Sequence, residues 1–292
     1  MEQIHIPVLL NEVLSVMNPQ PGESYLDLTA GYGGHAEKIL GITQNYNNAV
    51  LVDRDDNATN FLNAKYQKVK PKIVQKSFYE AALLEVKSGK KFDLILADLG
   101  VSSPQLDVSE RGFSLNKDAR LDMRMDRRQT LDAWKVVNKY SVKELTRIFI
   151  EYGEERPGRA EFLAKEIAVK RPINTTGELA EIIKAHSGYA KTHPATKIFQ
   201  AIRMEVNDEL GQIAKTLELI PQLLGRDGRV AIISFHSLED RLVKESFRAA
   251  SSLGHESSLK IITKKPIVAD KTEIANNPRA RSAKLRAAVK LK

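Results

Sequence analysis

Short apolar stretches alternate with helical patterns over the first hundred residues. The run at 92–97 is apolar at every position except Asp93, which is typical of a parallel strand buried on both faces. Three earlier strand patterns are present, and helical spacing of apolar residues occurs between them; the strands are predicted at residues 25–27, 49–52 and 72–75. Strands that alternate with helices predict a doubly wound α/β sheet.

The pattern changes after about residue 130. Helical periodicity continues to residue 208 without a strand pattern, and Ser141 with Glu144 and Thr175 with Glu178 have the spacing of capping boxes. We predict one long helix over residues 195–219, which leads to a returning strand at 228–235.

This order predicts an all-helical domain inserted into the sheet domain. The predicted boundaries are residues 1–106 for the first part of the core, 107–208 for the inserted helical domain and 209–292 for the second part. Within that second part, Ser237 is predicted to cap a helix, and residues 259–270 and 282–291 are predicted to form an antiparallel edge hairpin.

A glycine-rich turn follows the first strand. Asp27 is the last strand residue, and Gly31, Gly33 and Gly34 come before a helical pattern. Glycine lets a ligand approach the main chain closely, and free N–H groups at a helix start favour an anionic group. Residues 27–33 match the D-x-G-x-G-x-G pattern of S-adenosylmethionine sites except at Thr29. A nicotinamide site or a tight turn without a ligand are the alternatives.

Other candidate site residues also fall at strand ends. Ligands of such sheets bind outside the carboxyl ends of the strands, and Asp53, Phe78, Asp98 and His236 lie there together with Asp27. The carboxylate of Asp53 can accept both ribose hydroxyls. Phe78 is expected either to pack on an adenine face or to belong to the core. We therefore treat these residues as one site.

Composition narrows the class of protein. The chain has 292 residues, a net charge of +8 and no cysteine, so neither a disulfide nor a cysteine metal site is expected. The first residues lack the features of a secretory signal, and no long apolar run is present, so we expect a soluble cytoplasmic protein without a membrane partner. Residues 241–292 hold 13 Lys/Arg against 4 Asp/Glu, which fits either a phosphate-backbone partner or a solvated basic tail.

Several longer blocks carry a family resemblance. The sequence resembles the RsmH (MraW) family of bacterial 16S ribosomal RNA (cytosine-N4)-methyltransferases over essentially the whole chain. The resemblance lies in the blocks at residues 5–12, 33–35, 98–107, 110–114 and 234–241.

The resemblance implies a class I (Rossmann-like) methyltransferase sheet with an inserted helical domain for substrate recognition. It also implies S-adenosyl-L-methionine as cofactor. It implies that the acceptor is the cytidine at position 1402 of 16S rRNA, near the decoding centre of the small ribosomal subunit, and it suggests a homodimer. The cofactor contacts that it implies are Gly33, Gly34, His35, Asp53, Phe78, Asp98 and Gln105.

The chemistry suggests further roles. Asp98, or backbone carbonyls of residues 99–104, could accept a hydrogen bond or a proton from the cytosine N4 amine. Phe113 or Phe235 could stack on an extruded base, with His236 facing the same crevice. Arginines are candidates for phosphate contacts together with the basic C-terminal segment; they are Arg111, Arg120, Arg124, Arg127 and Arg128.

Three other functions stay open. The same sheet could serve a nicotinamide-dependent oxidoreductase, although Asp27 and the segment after Asp98 would then have no evident role. A methyltransferase could act on DNA, another RNA or a small molecule. A third alternative is a non-catalytic ribosome assembly factor with a vestigial cofactor pocket.

Overall fold

The computed structural model describes residues 7–100, 111–115, 117–186, 193–252 and 257–291. The chain folds into two compact units. The sheet unit comprises Met1–Gly100 and Leu210–Lys292, and the helical unit comprises Val101–Glu209. The helical unit is therefore an insertion between two parts of the sheet unit. The predicted fold class, an α/β sheet with an inserted helical domain, is confirmed.

The sheet has seven strands in the order β3-β2-β1-β4-β5-β7-β6. The first five strands of that order are parallel, and β7 runs antiparallel to both β5 and β6. The strands are β1 Tyr25–Asp27, β2 Ala49–Asp53, β3 Lys72–Gln75, β4 Phe92–Asp98, β5 Leu224–Ser234, β6 Leu259–Ile261 and β7 Lys284–Lys290.

Helices cover both faces of this sheet. Side chains of successive strand residues point to opposite faces, so Leu94 and Leu96 belong to one buried apolar cluster and Ile95 and Ala97 to the other. The helices of this part of the fold are α1 Leu10–Met17, α2 Gly34–Thr43, α3 Asp56–Lys65, α4 Phe78–Lys87, α10 Glu209–Leu223, α11 Ser237–Ser251 and α12 Lys271–Asn276.

The helical unit has an apolar core of its own. Both predicted capping boxes are present, at Ser141 and Thr175. Its α-helices among the described residues are α5 Ala133–Lys139, α6 Val142–Glu151, α7 Pro157–Val169, α8 Thr176–Ala185 and α9 Thr196–Asn207.

Two sequence predictions about elements need correction. The single helix predicted over residues 195–219 is two helices, because Asp208 adopts a left-handed backbone with φ +47° and ends α9. The predicted edge hairpin needs a smaller correction. Strands β6 and β7 do pair antiparallel at the edge of the sheet, as predicted, but α12 and a 3-10 turn, Pro278–Ser282, lie between them in the chain. Within the described ranges, no helix is both long and apolar enough to cross a membrane.

Candidate cofactor and substrate site

The turn between β1 and α2 leaves no room for side chains at two glycines. A Cβ atom on Gly33, whose φ is +76°, would lie 2.9 Å from the Leu62 side chain, and one on Gly34 would lie 2.7 Å from the Pro7 ring. Gly31 also has a positive φ, and its N–H donates to Asp53 Oδ2 at 2.9 Å. The backbone of this turn therefore packs closely against Leu62 and Pro7, and a hydrogen bond holds it to the end of β2.

Asp27 supports the turn from inside the protein. It is only 2% exposed, and its carboxyl accepts hydrogen bonds from the Tyr25 hydroxyl at 2.7 Å and from the Thr29 N–H at 3.1 Å. Burial raises the pKa of Asp27 to about 7, although both hydrogen bonds act in the opposite direction. These contacts give Asp27 a bracing role behind the glycine turn.

Asp53 stands at the end of β2 and is partly exposed. Its Oδ1 accepts the Asp55 N–H at 2.8 Å while Oδ2 accepts the Gly31 N–H. Burial raises the pKa of this carboxyl. Each carboxylate oxygen has two lone pairs, so Asp53 retains acceptor capacity for ligand hydroxyl groups.

Asp98 ends β4, next to the same turn. Its N–H donates to the Thr29 hydroxyl at 2.5 Å. Thr29 is the residue that departs from the glycine pattern, and this hydrogen bond ties it to the end of β4. Burial raises the pKa of Asp98 well above its usual range, and the charges of Asp27 and Glu239 add to that effect. Asp98 Oδ1 is buried, and it has no hydrogen-bond partner among the residues that the structure describes.

His35 faces Asp98 from the start of α2. Its Nε2 lies 2.9 Å from the Val8 carbonyl oxygen, which can only accept, so we assign the proton to Nε2. Nδ1 lies 3.9 Å from Asp98 Oδ2, which is too long for a direct hydrogen bond. The imidazole therefore binds the segment before α1 and lies close to the carboxyl end of β4.

The two aromatic candidates of the sheet unit lie at different strand ends. Phe78 is the first residue of α4, and the Arg54 guanidinium carbon lies 5.7 Å from its ring centroid. Phe235 follows β5, and its ring is close to Gly100, since a Cβ atom there would lie 3.4 Å from Phe235 Cδ2. Phe235 thus lies beside the chain that leaves Asp98.

His236 has a structural task at the start of α11. It is the N-cap, and its Nδ1 accepts the Glu239 N–H at 3.4 Å, while Glu239 Oε2 accepts the Phe235 N–H at 2.8 Å. The prediction that Ser237 caps this helix is wrong, because the capping side chain belongs to His236. A histidine in that position was missed because capping sequences usually place Ser, Thr, Asp or Asn there.

The substrate candidates of the helical unit are used within that unit. Arg111 is 4% exposed and donates to the carbonyls of Arg124 and Met125, and Phe113 is 8% exposed within the apolar core. Arg124 binds the Asp122 carboxylate at 2.7 and 2.9 Å. A ring buried in this way cannot stack on a base, so the expectation for Phe113 needs correction. Arg111 and Arg124 hold their own segment. Gln105 lies outside the described residues.

The sheet unit therefore brings together the strand-end acids and the glycine turn. Thr29 links Asp27 to Asp98, Gly31 links Asp53 to the turn, and His35 Nδ1 lies 3.9 Å from Asp98 Oδ2. These features fit an adenosine-containing ligand that carries hydroxyl groups and a positive charge. Asp53 can accept the hydroxyl groups, the unpartnered Asp98 oxygen suits the positive charge, and the turn backbone can approach the ligand. Sequence reasoning missed the contacts of Tyr25, Thr29 and Val8, since their partners are set by the fold.

Comparison with known proteins gives a family. A model of the MraW methylase family matches residues 2–291. "Ribosomal RNA small subunit methyltransferase H" of Trichormus variabilis is 47% identical over 294 residues, which cover 98% of this chain and 92% of that protein. The protein of the same name from Caldicellulosiruptor saccharolyticus is 46% identical over 306 residues, which cover 98% and 99%.

Solved structures show more distant likeness. A rRNA methylase from Streptococcus thermophilus aligns with 9% identity and a TM-score of 0.45 over 100% of this chain and 99% of that one. TrmN from Thermus thermophilus aligns with 10% identity and a TM-score of 0.44 over 97% and 48%. The family match spans residues 2–291, and the two rRNA methyltransferases H are similar over 92% and 99% of their length. On these grounds, the chain belongs to the MraW methylase family.

Proposed function

We propose that this protein transfers a methyl group from S-adenosyl-L-methionine to the N4 amine of a cytidine in small-subunit ribosomal RNA, at the position 1402 that the sequence resemblance implies. The observation that supports this most directly is the buried, unpartnered Asp98 Oδ1 beside the glycine turn, among the described residues. The relatives named above are called small-subunit rRNA methyltransferases. Their substrate is part of this proposal.

The cofactor is assigned to the crevice at the carboxyl ends of β1, β2 and β4. Asp53 would accept the ribose hydroxyls, the main chain of Gly33 to His35 would line the ligand, and Phe78 would contact the adenine. The cofactor supplies a methyl group on a positively charged sulfur, which is already activated for transfer. Positioning of the acceptor amine then accounts for most of the catalysis.

Asp98 is assigned to the acceptor amine. The lone pair of cytosine N4 is delocalised into the ring, and an acceptor for its N–H makes that pair more available. Burial raises the pKa of the Asp98 carboxyl, and positive charge brought next to it lowers that pKa and favours the ionised form. In that form Asp98 Oδ1 accepts the hydrogen bond and then the proton that N4 must lose.

Phe235 is the aromatic residue best placed to hold the base. Its ring lies beside Gly100, two residues after Asp98, whereas Phe113 is enclosed in the helical core. A target base in folded RNA must leave its stack to reach such a crevice. Stacking on Phe235 would offset part of that cost.

The test combines cofactor binding with product analysis. Equilibrium dialysis with labelled S-adenosylmethionine measures binding, and methyl transfer is compared on isolated 30S particles, naked rRNA and DNA, with the modified nucleoside identified by mass spectrometry. Asp98→Asn is expected to lower the methylation rate roughly hundredfold or more, the usual scale of acid–base catalysis. Glu218→Gln, an exposed carboxylate on α10, is the matched control.

Each outcome separates the alternatives. N4-methylcytidine in rRNA supports the proposal. Another modified nucleoside, or transfer to DNA alone, contradicts it. Binding of rRNA without transfer would favour an assembly factor, and binding of a nicotinamide dinucleotide in place of S-adenosylmethionine would favour an oxidoreductase. The small ribosomal subunit as partner and a homodimer stay predictions.

A further inference from the structure

The 3-10 turn Pro278–Ser282 presents two exposed arginines on a fixed support. Arg279 and Arg281 flank Ala280, which is fully buried in the apolar cluster of the sheet unit. The Ala280 N–H donates to Asn277 at 3.0 Å and the Ala283 N–H donates to Ala280 at 3.1 Å. The backbone of this arginine turn is therefore anchored while both guanidinium-bearing side chains face solvent.

Strand pairing places the arginine turn at the edge of the sheet that holds the carboxylates. Ser234, the last residue of β5, lies opposite Lys284, the first residue of the antiparallel β7. Residues just before Lys284 therefore lie beyond the carboxyl end of β5. Asp98 is opposite Ile233, and Ile233 is opposite Leu285. Two strand spacings, about 10 Å, thus separate the backbones of Asp98 and Leu285.

Hydrogen bonds also connect the arginine turn with the glycine turn. His35 contacts the Val8 carbonyl, and the next residue, Leu9, donates its N–H to Glu273 Oε1 at 2.7 Å. The Glu273 carbonyl in turn accepts the Asn277 N–H at 2.6 Å. The residues that precede α1 therefore join the cofactor side of the crevice to the base of the arginine turn.

The charges nearby distinguish Arg281 from the basic residues that follow it. Arg286 binds Asp240 at 2.6 and 3.1 Å, and Lys284 lies 3.6 Å from the same carboxylate. Arg281, by contrast, makes no hydrogen bond or ion pair with any residue in the described ranges. The positive charge of Arg281 therefore does not neutralise a carboxylate in the described part of the protein.

We propose that Arg279 and Arg281 bind the phosphodiester backbone of the RNA next to the nucleotide that enters the crevice. The inference rests on the proposed function, since it takes RNA as the substrate. The carboxyl groups at the strand ends supply no positive charge for a phosphate, so the RNA strand is held by cations at the rim of the crevice. Arginine suits this role because its planar guanidinium can donate two hydrogen bonds to one phosphate.

The test replaces both arginines in the full-length protein. For Arg279→Gln/Arg281→Gln we expect KM for isolated 30S particles to rise about tenfold per arginine, the scale of a charged hydrogen bond. The slope of log affinity against log salt should become shallower by roughly 0.7–0.9 per lost phosphate contact. Binding of S-adenosylmethionine should be unchanged. Arg279→Lys/Arg281→Lys should restore most of the salt slope but only part of the affinity.

A matched control removes the same charge elsewhere. Lys68 and Lys70 are exposed, have the same spacing and precede β3, at the opposite edge of the sheet. If Lys68→Gln/Lys70→Gln raises KM equally, or if the arginine variant keeps the wild-type KM and salt slope, the inference is wrong. If the wild-type protein methylates no RNA at all, the proposed function fails instead, and the two failures are thus distinguishable.

Discussion

Asp27 illustrates at the residue scale how burial alters a carboxyl group. Its pKa is raised to about 7, whereas an aspartate in the unfolded chain titrates near its ordinary value of 3.8. Between these two pH values the folded state binds a proton that the unfolded state has released. Stability therefore falls as pH rises through this window. Asp53 and Asp98, whose pKa values are also raised, act in the same direction.

Asp27→Asn removes one of these titrations. We expect the fall in Tm of the cofactor-free protein between pH 5 and pH 8 to be smaller in this variant than in the wild type, because the amide carries no charge at either pH. Thermal unfolding followed by circular dichroism at several pH values measures this. Glu218→Gln, at an exposed carboxylate, is the control variant. A variant profile parallel to that of the wild type would contradict the raised pKa.

Strand-end acids were predictable from sequence because they follow apolar runs. Asp27, Asp53 and Asp98 do converge in the sheet unit. The bracing of Asp27 by Tyr25 was not predictable, since Tyr25 looked like an ordinary strand residue. The contact between Leu9 and Glu273 spans 264 positions and leaves no sequence pattern.

Element α2 offers a comparison between two of its own glycines. A Cβ atom on Gly34 would meet the Pro7 ring at 2.7 Å, whereas one on Gly41 would have nothing within 4 Å. Gly34→Ala is expected to displace the residues before α1 and to weaken S-adenosylmethionine binding. Gly41→Ala is expected to stabilise the protein by up to about 1 kcal/mol, the helix propensity difference. Equilibrium dialysis measures the cofactor affinity of each variant, and Tm measures its stability. Equal cofactor affinity in both variants would contradict a special packing role for Gly34.

Element α11 depends on a histidine cap. His236→Ala should lower the free energy of unfolding by about 1 kcal/mol, because the Glu239 N–H loses its acceptor. His236→Asn, which can also cap, should restore both stability and methylation. Urea unfolding and a methylation assay test this. An Asn variant that is stable but inactive would show instead that the imidazole acts on the substrate in the crevice.

Elements were predicted well where periodicity was strong. The alternating strands and both capping boxes were visible in the pattern of residues. The break between α9 and α10 was not, because apolar spacing continues across Asp208 and only its left-handed backbone separates the helices.

The whole molecule contains separate apolar cores in its two units. Phe149 is fully buried in the helical core, whereas Phe162 on α7 is 45% exposed. Phe149→Ala should destabilise the helical unit by about 3–5 kcal/mol, and Phe162→Ala should have little effect. Trp134, the only tryptophan of the chain, reports on this unit. Its fluorescence during urea unfolding measures the change.

Cofactor binding provides the second readout for that variant. Because the candidate cofactor residues described in the structure lie in the sheet unit, Phe149→Ala should retain S-adenosylmethionine binding at urea concentrations that unfold the helical unit. Loss of binding together with the fluorescence change would contradict separate cores.

Insertion of the helical unit was predictable because the periodicity of apolar residues changes along the chain. The sequence could not reveal that β4 and β5 are hydrogen-bonded neighbours.

Residues 99–223 separate strands β4 and β5 in the chain. At ordinary translation rates a ribosome needs roughly 6–25 s to synthesise that many residues. Throughout this interval the nascent β4 has an unpaired edge, whereas a helical segment with local contacts can fold within milliseconds. During biosynthesis the insert therefore has time to fold before the central sheet is completed.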